Sequence, residues 1–444
     1  MPPELALPDH GDEVTAPQDQ RITELWDVLV VGAGPAGGDL ASQLARAGQR
    51  VLLIDQLPDL RQAAFSSAAM PLEAMQRFGL PAELVGHRWR SWQLLGPGDA
   101  RRQWWCRHPL GVVLDFGALR SWQAQQTRVW GGTVALGLRA QHCRPRGEEM
   151  LTQVRQRNGR RLELRSRWLV DATGQARSLI GDPVLAPTGR GDRDQRLIRA
   201  VGVEWLLRVP LQVWNHWAEQ LSFCLGSDWV PQGYGWVFPM QEGLLKLGAC
   251  RITPEGSAPL PLAPLMQALY QRLFLQAGEK PNPEPAMAIR VLDRHGGLVR
   301  SSISRREPHH RGRLIALGDA VSTANLLGGE GIRHALTASR VLAPLLLDTL
   351  ERERRGCGSG TVEAPLRRYP RRLHRALGWR WVPSGRIARR TWLSLAGPRG
   401  DRRLEAVLRG LEGGASAEDL SALLFDYRFE RFGLKLVPYL LGWH

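Results

Sequence analysis

A short apolar run leading straight into a glycine-rich turn, a cluster of strand-like segments between Val201 and Ile252, and a return of helical periodicity after Leu314 predict an α/β chain. The expected architecture is a Rossmann-like nucleotide domain in two pieces, with an antiparallel β-rich domain inserted between them and a helical C-terminal part. In residues, 1–25 reads as a disordered tail, 26–185 and 295–350 as the discontinuous nucleotide domain, 186–294 as the insert, and 351–444 as a helical, basic region.

The first element is Trp26 to Val31, an apolar run of the kind that forms a buried parallel strand. Ala36, Leu40, Leu44 and Ala45 then share one helical face, Gly48 stops the helix, and Val51 to Ile54 forms a second strand ending on Asp55. From about residue 60 to 160 the pattern is poorly periodic, with a strand at Val112 to Asp115 and a helix at Leu119 to Trp130. Arg167 to Val170 is strand-like, and the polar, glycine-containing stretch Gly189 to Arg196 suits a domain junction. The runs 201–209, 220–225, 234–238 and 244–252 supply the inserted sheet. Leu314 to Leu317 is a further short strand, and Ile332, Ala335, Leu336, Ser339, Leu342, Ala343 and Leu346 form the inner stripe of a long helix.

Composition narrows the function classes less than the net charge of +16 suggests. Only three of the 59 basic residues are lysines (Lys246, Lys280 and Lys435), which points to a genome-wide bias toward arginine rather than to a phosphate-binding face. The five cysteines, at 106, 143, 224, 250 and 357, are scattered and draw neither a disulfide framework nor a zinc spacing, so a reduced, cytoplasmic setting is expected. No stretch approaches the ~20 apolar residues of a membrane span. The first 25 residues carry prolines and acids rather than the basic start and apolar middle of a signal peptide.

The chemistry begins at Gly32-x-Gly34-x-x-Gly37. The first glycine permits the tight turn, the second lets a pyrophosphate approach, and the third lets helix and strand pack closely. Pro35 and Ala36 open the helix whose N–H groups face that pyrophosphate. Alone the motif is weak, and a turn without a ligand is its bland reading. Here it lies between a strand and a helix, with Asp55 eighteen residues past Gly37, where a carboxylate can accept both ribose hydroxyls and repel a 2′-phosphate. At the far end, Gly318-Asp319 follows a strand and leads into Leu327-Gly328-Gly329-Glu330-Gly331-Ile332. A carboxylate there can hold ribityl hydroxyls, and the start of the following helix can stabilise charge on a reduced flavin, so the cofactor expected is FAD.

On these residues the chain resembles flavoproteins of the p-hydroxybenzoate hydroxylase type and, within them, the geranylgeranyl reductase family. The matching pieces are Gly32 to Gly37 with Asp55, Asp171-Ala172-Thr173-Gly174 with Ser178, the run Pro231 to Pro239, and Gly318-Asp319 through Ile332. The resemblance implies a Rossmann-like FAD-binding domain, an inserted antiparallel β-rich substrate domain over the isoalloxazine, and hydride transfer to double bonds of a small apolar isoprenoid-like substrate. Two departures stand out. Ala63 to Ala69 lacks the cysteine often found there, and Leu114 replaces an arginine, leaving Arg120 as the nearest substitute for cofactor contact.

A strand places Tyr234, Trp236 and Phe238 on one face, an aromatic plate that ends at Pro239. It reads equally as ordinary core; the family motif favours a wall of the substrate cavity. Asp171 and Thr173 suit a hydrogen-bonded turn as well as cofactor contact, and Gly174 is the residue taken as a cofactor neighbour. Tyr234 and Glu330 are the candidate proton donors, although a phenol near pKa ~10 is a reluctant acid and Glu330 can simply cap a helix. His309 and His310 read as solvated, with no metal. Lacking a second GxGxxG, the chain is expected to take electrons transiently from NAD(P)H or from a ferredoxin partner. An oxygen-using hydroxylase and a non-redox carotenoid cyclase are the alternatives. Residues 366–403, with twelve arginines and three tryptophans, read as a solvated helical face covering the nucleotide domain, with peripheral membrane contact the functional alternative and nucleic-acid binding disfavoured.

Overall fold

The computed structural model describes residues 22–62, 66–182, 197–254, 261–275, 288–302 and 307–436. Most of the tail expected at 1–25 and the junction at Gly189 to Arg196 lie outside these residues.

The first sheet runs in the order His310–Arg311 (β17), Leu314–Ala316 (β18), Arg161–Asp171 (β11), Leu25–Val31 (β1), Val51–Asp55 (β2) and Thr133–Leu136 (β8). The hairpin Leu138–Arg146 (β9) and Glu149–Gln156 (β10) joins it through β11. The inner pairs are parallel. Parallel strands are covered on both faces, which is why Val28, Leu29, Val30 and all of Val51–Ile54 are buried.

Helix α1 (Pro35–Arg46) begins at Gly34, with proline in its first turn where a missing N–H costs nothing. It packs against α2 (Phe116–Val129) and α3 (Ile332–Arg354). Asp39 of α1 is buried between them, accepting from Ser339 and pairing with Arg340 at 3.0 Å. Burial raises its pKa against the pull of Arg340. Helix α2 starts three residues earlier than the sequence suggests, because the Asp115 side chain caps it by accepting from Ala118 N at 2.8 Å.

The second sheet has seven strands in the order Arg290–Ser302 (β16), Leu197–Arg208 (β12), Leu244–Pro254 (β15), Gly233–Pro239 (β14), Gln220–Leu225 (β13), Ser91–Leu95 (β5) and Arg101–Trp105 (β6). All pairs are antiparallel except β13 with β5. Two of its strands therefore come from the stretch 26–185 assigned to the nucleotide domain, and β16 crosses the expected boundary at 294/295. Local periodicity cannot disclose such a pairing, because Ser91 to Leu95 finds its partner near residue 222. A small third sheet joins Ala69–Pro71 (β3), Gly111–Leu114 (β7) and Val85–Trp89 (β4).

The C-terminal part is α4 (Tyr369–Leu377), α5 (Trp381–Ser394), α6 (Pro398–Glu412) and α7 (Ala417–Leu424). The reading of 366–403 as a solvated helical face covering the nucleotide domain fits α4, whose Arg371, Arg372 and Arg375 are exposed, while α5 extends the cover to the second sheet. Tyr369 and Leu373 enter the core beneath the first sheet, while Trp392, Leu404 and Leu408 pack with Trp92 and Tyr234 on the second. Of the three tryptophans there, Trp381 and Trp392 are buried and only Trp379 is largely exposed, at 62%. Arg102 of β6 is buried against α6, paired with Glu405 at 2.6 Å and Glu412 at 3.0 Å. His309 is likewise not solvated: it is buried edge-on to Tyr369, because the loop carrying it folds under α4. Among the described residues no helix is long and apolar enough to cross a membrane.

Candidate active site

Three turns meet at the C-terminal ends of the first sheet. In the first, Gly32 has a φ of +106°, and a Cβ there would lie well inside 3.0 Å of the Ala172 carbonyl. A Cβ at Gly37 would strike the Gly32 carbonyl as closely, whereas one at Gly34 would meet nothing within 4 Å. Two glycines thus serve packing, and the middle one faces open space. Asp55 closes the turn: Oδ2 accepts from Ala33 N at 2.8 Å and Oδ1 from Leu57 N at 2.9 Å. Arg120 of α2 reaches the same place, donating to the Ala33 carbonyl at 3.2 Å and lying 3.5 Å from Asp55. Burial lowers the Arg120 pKa, and Asp55 opposes that shift. The carboxylate keeps acceptor capacity for hydroxyls, since it offers about four lone-pair sites.

The second turn lies directly against the first. Gly318 has a φ of +66°, and a Cβ on it would sit 2.8 Å from the Ala36 Cβ. The link between them is the end of β11, whose Ala172 N donates to Val31 O at 2.9 Å while Leu317 N donates to Asp171 O at 2.9 Å. The Asp171 side chain is used up within its own turn, accepting from Thr173 N and Oγ1 at 3.0 and 2.6 Å and from Leu179 N and Ile180 N at 2.9 and 2.8 Å. Its role is to hold the turn that presents Gly174, where φ is +68° and a Cβ would meet nothing within 4 Å. Asp319 is different. It is half-buried, with the Thr323 hydroxyl at 3.1 Å and a backbone bond at Ala324 in support, and loss of solvation pushes its pKa from 3.8 up to about 6.

The third turn, Gly328 to Ile332, is closed by paired backbone bonds between Asn325 and Glu330 at 2.9 and 3.0 Å. Asn325 fastens it to α5 through Ser384 at 2.7 Å. Gly329, at φ +67°, brings the loop so close to the aromatic plate that a Cβ would lie 2.6 Å from the Tyr234 hydroxyl. On the other side a Cβ at Gly328 would collide with the Leu424 carbonyl, while Gly331 faces open space. Glu330 is buried, paired with Arg333 at 2.6 Å and accepting from the Tyr427 hydroxyl at 3.1 Å. Burial raises its pKa although Arg333 counters the shift. Arg333 also holds Asp426 at 3.0 Å and the Phe425 carbonyl, so Glu330 and Arg333 strap the C-terminal segment over the loop.

Tyr234, Trp236 and Phe238 are all buried on one face of β14, with successive ring centroids 5.9 and 6.4 Å apart. Phe223 lies 5.2 Å from Phe238, and Trp392 lies 4.8 Å from Tyr234. Pro239 ends the strand. Burial pushes the Tyr234 phenol well above its ordinary value, which makes it a still weaker acid.

Sequence reasoning missed Tyr427, which comes from more than 90 residues downstream of Glu330, and the buried pair Glu204 and Lys246. Glu204 is the one acid within Val201-Gly-Val-Glu-Trp-Leu-Leu207, and Lys246 is one of three lysines and stands in an apolar run. A charge isolated among strand residues was the available signal. Among the described residues no group of three or more His, Cys, Asp or Glu side chains is placed to hold a metal ion.

The family described as lycopene cyclase protein matches residues 27–203. The digeranylgeranylglycerophospholipid reductase of Haloferax volcanii is 27% identical over 331 residues, 72% of this chain and 76% of that protein. The geranylgeranyl diphosphate reductase of Synechocystis is 23% identical over 381 residues, covering 79% and 81%. A solved geranylgeranyl bacteriochlorophyll reductase-like protein from Thermoplasma acidophilum superposes with a TM-score of 0.72 at 18% identity, over 94% of this chain and 99% of that one. The fold is that of the FAD-dependent oxidoreductases of the hydroxylase type. In sequence the chain is similar to proteins named as geranylgeranyl reductases.

Two expectations follow. Gly37→Ala should cost about 1–3 kcal/mol through the clash with Gly32, while Gly34→Ala should leave stability within about 0.5 kcal/mol and weaken nucleotide binding; urea unfolding beside a flavin titration separates the two. Because the folded pKa of Asp319 lies above its ordinary value, its share of stability is complete below about pH 4 and is lost as pH rises through about 6. In the cofactor-free protein that loss should approach about 2–3 kcal/mol, and Asp319→Asn should remove it from the pH dependence of the urea midpoint.

Proposed function

We propose that the chain binds FAD and reduces carbon–carbon double bonds of an apolar isoprenoid. The observation that carries this reading is the contact between the Tyr234 hydroxyl and the Gly329 turn, which sets the aromatic plate against the glycine loop at the start of α3. The residues present fit the cofactor. Asp55 and Arg120 suit the adenosine ribose, the open backbone at Gly34 with Pro35, Ala36 and the start of α1 suits the pyrophosphate, and Asp319 suits ribityl hydroxyls. Gly318, Gly328, Gly329, Gly331 and Ile332 would border the ring, with Gly174 nearby. When bound, the flavin supplies hydride.

The chain's own part is positioning and exclusion of water. Tyr234, Trp236, Phe238 and Pro239 present an apolar wall on which an isoprenoid chain gains burial at about 25 cal/mol per Å². Burial raises the pKa of the Tyr234 phenol and makes it a poor proton donor, so Tyr234 acts as wall rather than acid, and Glu330 acts as the clamp of the C-terminal strap. Electrons come from an external donor, NAD(P)H or a ferredoxin. The chain is read as cytoplasmic. The exposed Trp379, which lies against Arg380, together with the exposed Arg371, Arg372 and Arg375 of α4, supports peripheral contact with the membrane from which such a substrate would be drawn. A cyclase acting without net reduction is the second reading, favoured by the family match over residues 27–203.

Under anaerobic conditions, dithionite-reduced protein given geranylgeranyl diphosphate should yield a product heavier by two hydrogens per bond reduced, read by mass spectrometry. An isobaric product would establish the cyclase, and no product would remove both readings. Tyr234→Phe should lower kcat by less than about tenfold, whereas loss of a true general acid costs about a hundredfold or more.

A further inference from the structure

One row of residues crosses four strands of the second sheet: His295 on β16 stands opposite Glu204 on β12, Glu204 opposite Gly248 on β15, and Gly248 opposite Trp236 on β14. Side chains in such a row share a face, so this row lies on the face that carries the aromatic plate. Trp236 lies across Gly248, where a Cβ would fall well inside 3.0 Å of the indole and 2.7 Å from its Nε1. Only a glycine lets the ring span that strand. The indole N–H then reaches Glu204, donating to Oε2 at 3.0 Å.

Glu204 has 0% exposure, an unusual place for a carboxylate. Its other oxygen lies 3.2 Å from His295 Nε2, and His295 Nδ1 lies 2.8 Å from the exposed Asp293. Burial works against charge on His295, but the bonds to Glu204 and Asp293 outweigh it and raise its pKa. Lys246, one row along and opposite Phe238, is buried with its ammonium donating to the Ser66 carbonyl at 2.9 Å, and it adds positive charge near Glu204. An apolar pair of similar size would stabilise the sheet as well or better. Packing alone therefore does not account for a charge at this spot.

We propose that Glu204 is a positioning residue: through its bond to the indole N–H, with Gly248 making the space, it fixes Trp236 as the flat part of the substrate wall. This rests on the substrate reading above. The hydrogen bond sets the ring plane, and the ring plane shapes the face that would meet an isoprenoid chain. Substrate affinity should depend on Glu204, and the chemical step should not.

The test uses the full-length flavoprotein with Glu204→Leu, Glu204→Gln, Gly248→Ala and Trp236→Phe. In ¹⁵N-indole TROSY spectra the Trp236 resonance, assigned by its loss in Trp236→Phe, should shift in Glu204→Leu and Gly248→Ala. It should stay in place in Glu204→Gln, whose amide oxygen still accepts. The dissociation constant for geranylgeranyl diphosphate, from equilibrium dialysis, should rise about tenfold or more in the leucine and alanine variants with kcat within about threefold, and the glutamine variant should match the unaltered chain. An unmoved indole resonance or unchanged affinity in Glu204→Leu, or a glutamine variant as weak as the leucine one, overturns the proposal. If the unaltered chain fails to bind geranylgeranyl diphosphate, the function proposed above falls and the substrate wall with it; the indole spectra then show separately whether Glu204 holds Trp236.

Discussion

The arrangement depends on backbone approaching backbone at the end of β11. Ala172 leaves no room for a side chain at Gly32, and Ala36 leaves little at Gly318. Two turns separated by nearly three hundred residues are thereby held on either side of one strand end, each with its glycine in the left-handed region. The helix that follows the first turn and the 3₁₀ turn that follows the second share a wall, and the open positions at Gly34, Gly174 and Gly331 are what remains for a ligand. Close packing, rather than any single polar contact, decides where the groove can be.

The three strand-end aspartates show how one residue type is put to three uses by its surroundings. Asp171 is saturated by four donors of its own turn and serves structure. Asp55 divides its oxygens between two backbone N–H groups and Arg120 and keeps capacity for more. Asp319 is half-buried with only two bonds in support, and partial loss of solvation raises its pKa. A polar ligand at Asp319 would supply the missing partners, a common pattern where a site gives up stability to bind. The apolar half of the site is built differently, from a sheet face and the helices that cover it, with the Glu204 row and the neighbouring Lys246 as charged positions on it.

Much of this was legible in the sequence where the signal is local. The first glycine motif sits between a strand and a helix as its spacing requires, Asp55 ends β2, and Tyr234, Trp236 and Phe238 do share a face. What was not legible depends on distant pairing. Ser91 to Leu95 and Arg101 to Trp105 belong to the second sheet because β13 lies beside them, which no window of a dozen residues contains. The burial of Trp381, Trp392 and His309 depends on C-terminal helices folding back over both sheets, so the arginine-rich composition of 366–403 hid an inward apolar stripe. Arg120 was reached as a substitute for a residue missing at 114, and its contact with Asp55 follows from the pitch of α2, which turns it toward the first glycine loop. Tyr427 and Glu204 act across the fold; nothing adjacent in sequence marks Tyr427, and Glu204 shows only as a lone charge among strand residues.

The central claim is that the two glycine-and-carboxylate turns grip opposite ends of one extended dinucleotide. The most direct measurement is the identity and amount of nucleotide released by heat from the purified full-length protein, separated chromatographically and weighed by mass spectrometry. FAD should be released at one molecule per chain. Release of FMN, which has no adenosine for Asp55 and Arg120 to hold, or protein that takes up no flavin when FAD is supplied, would contradict it.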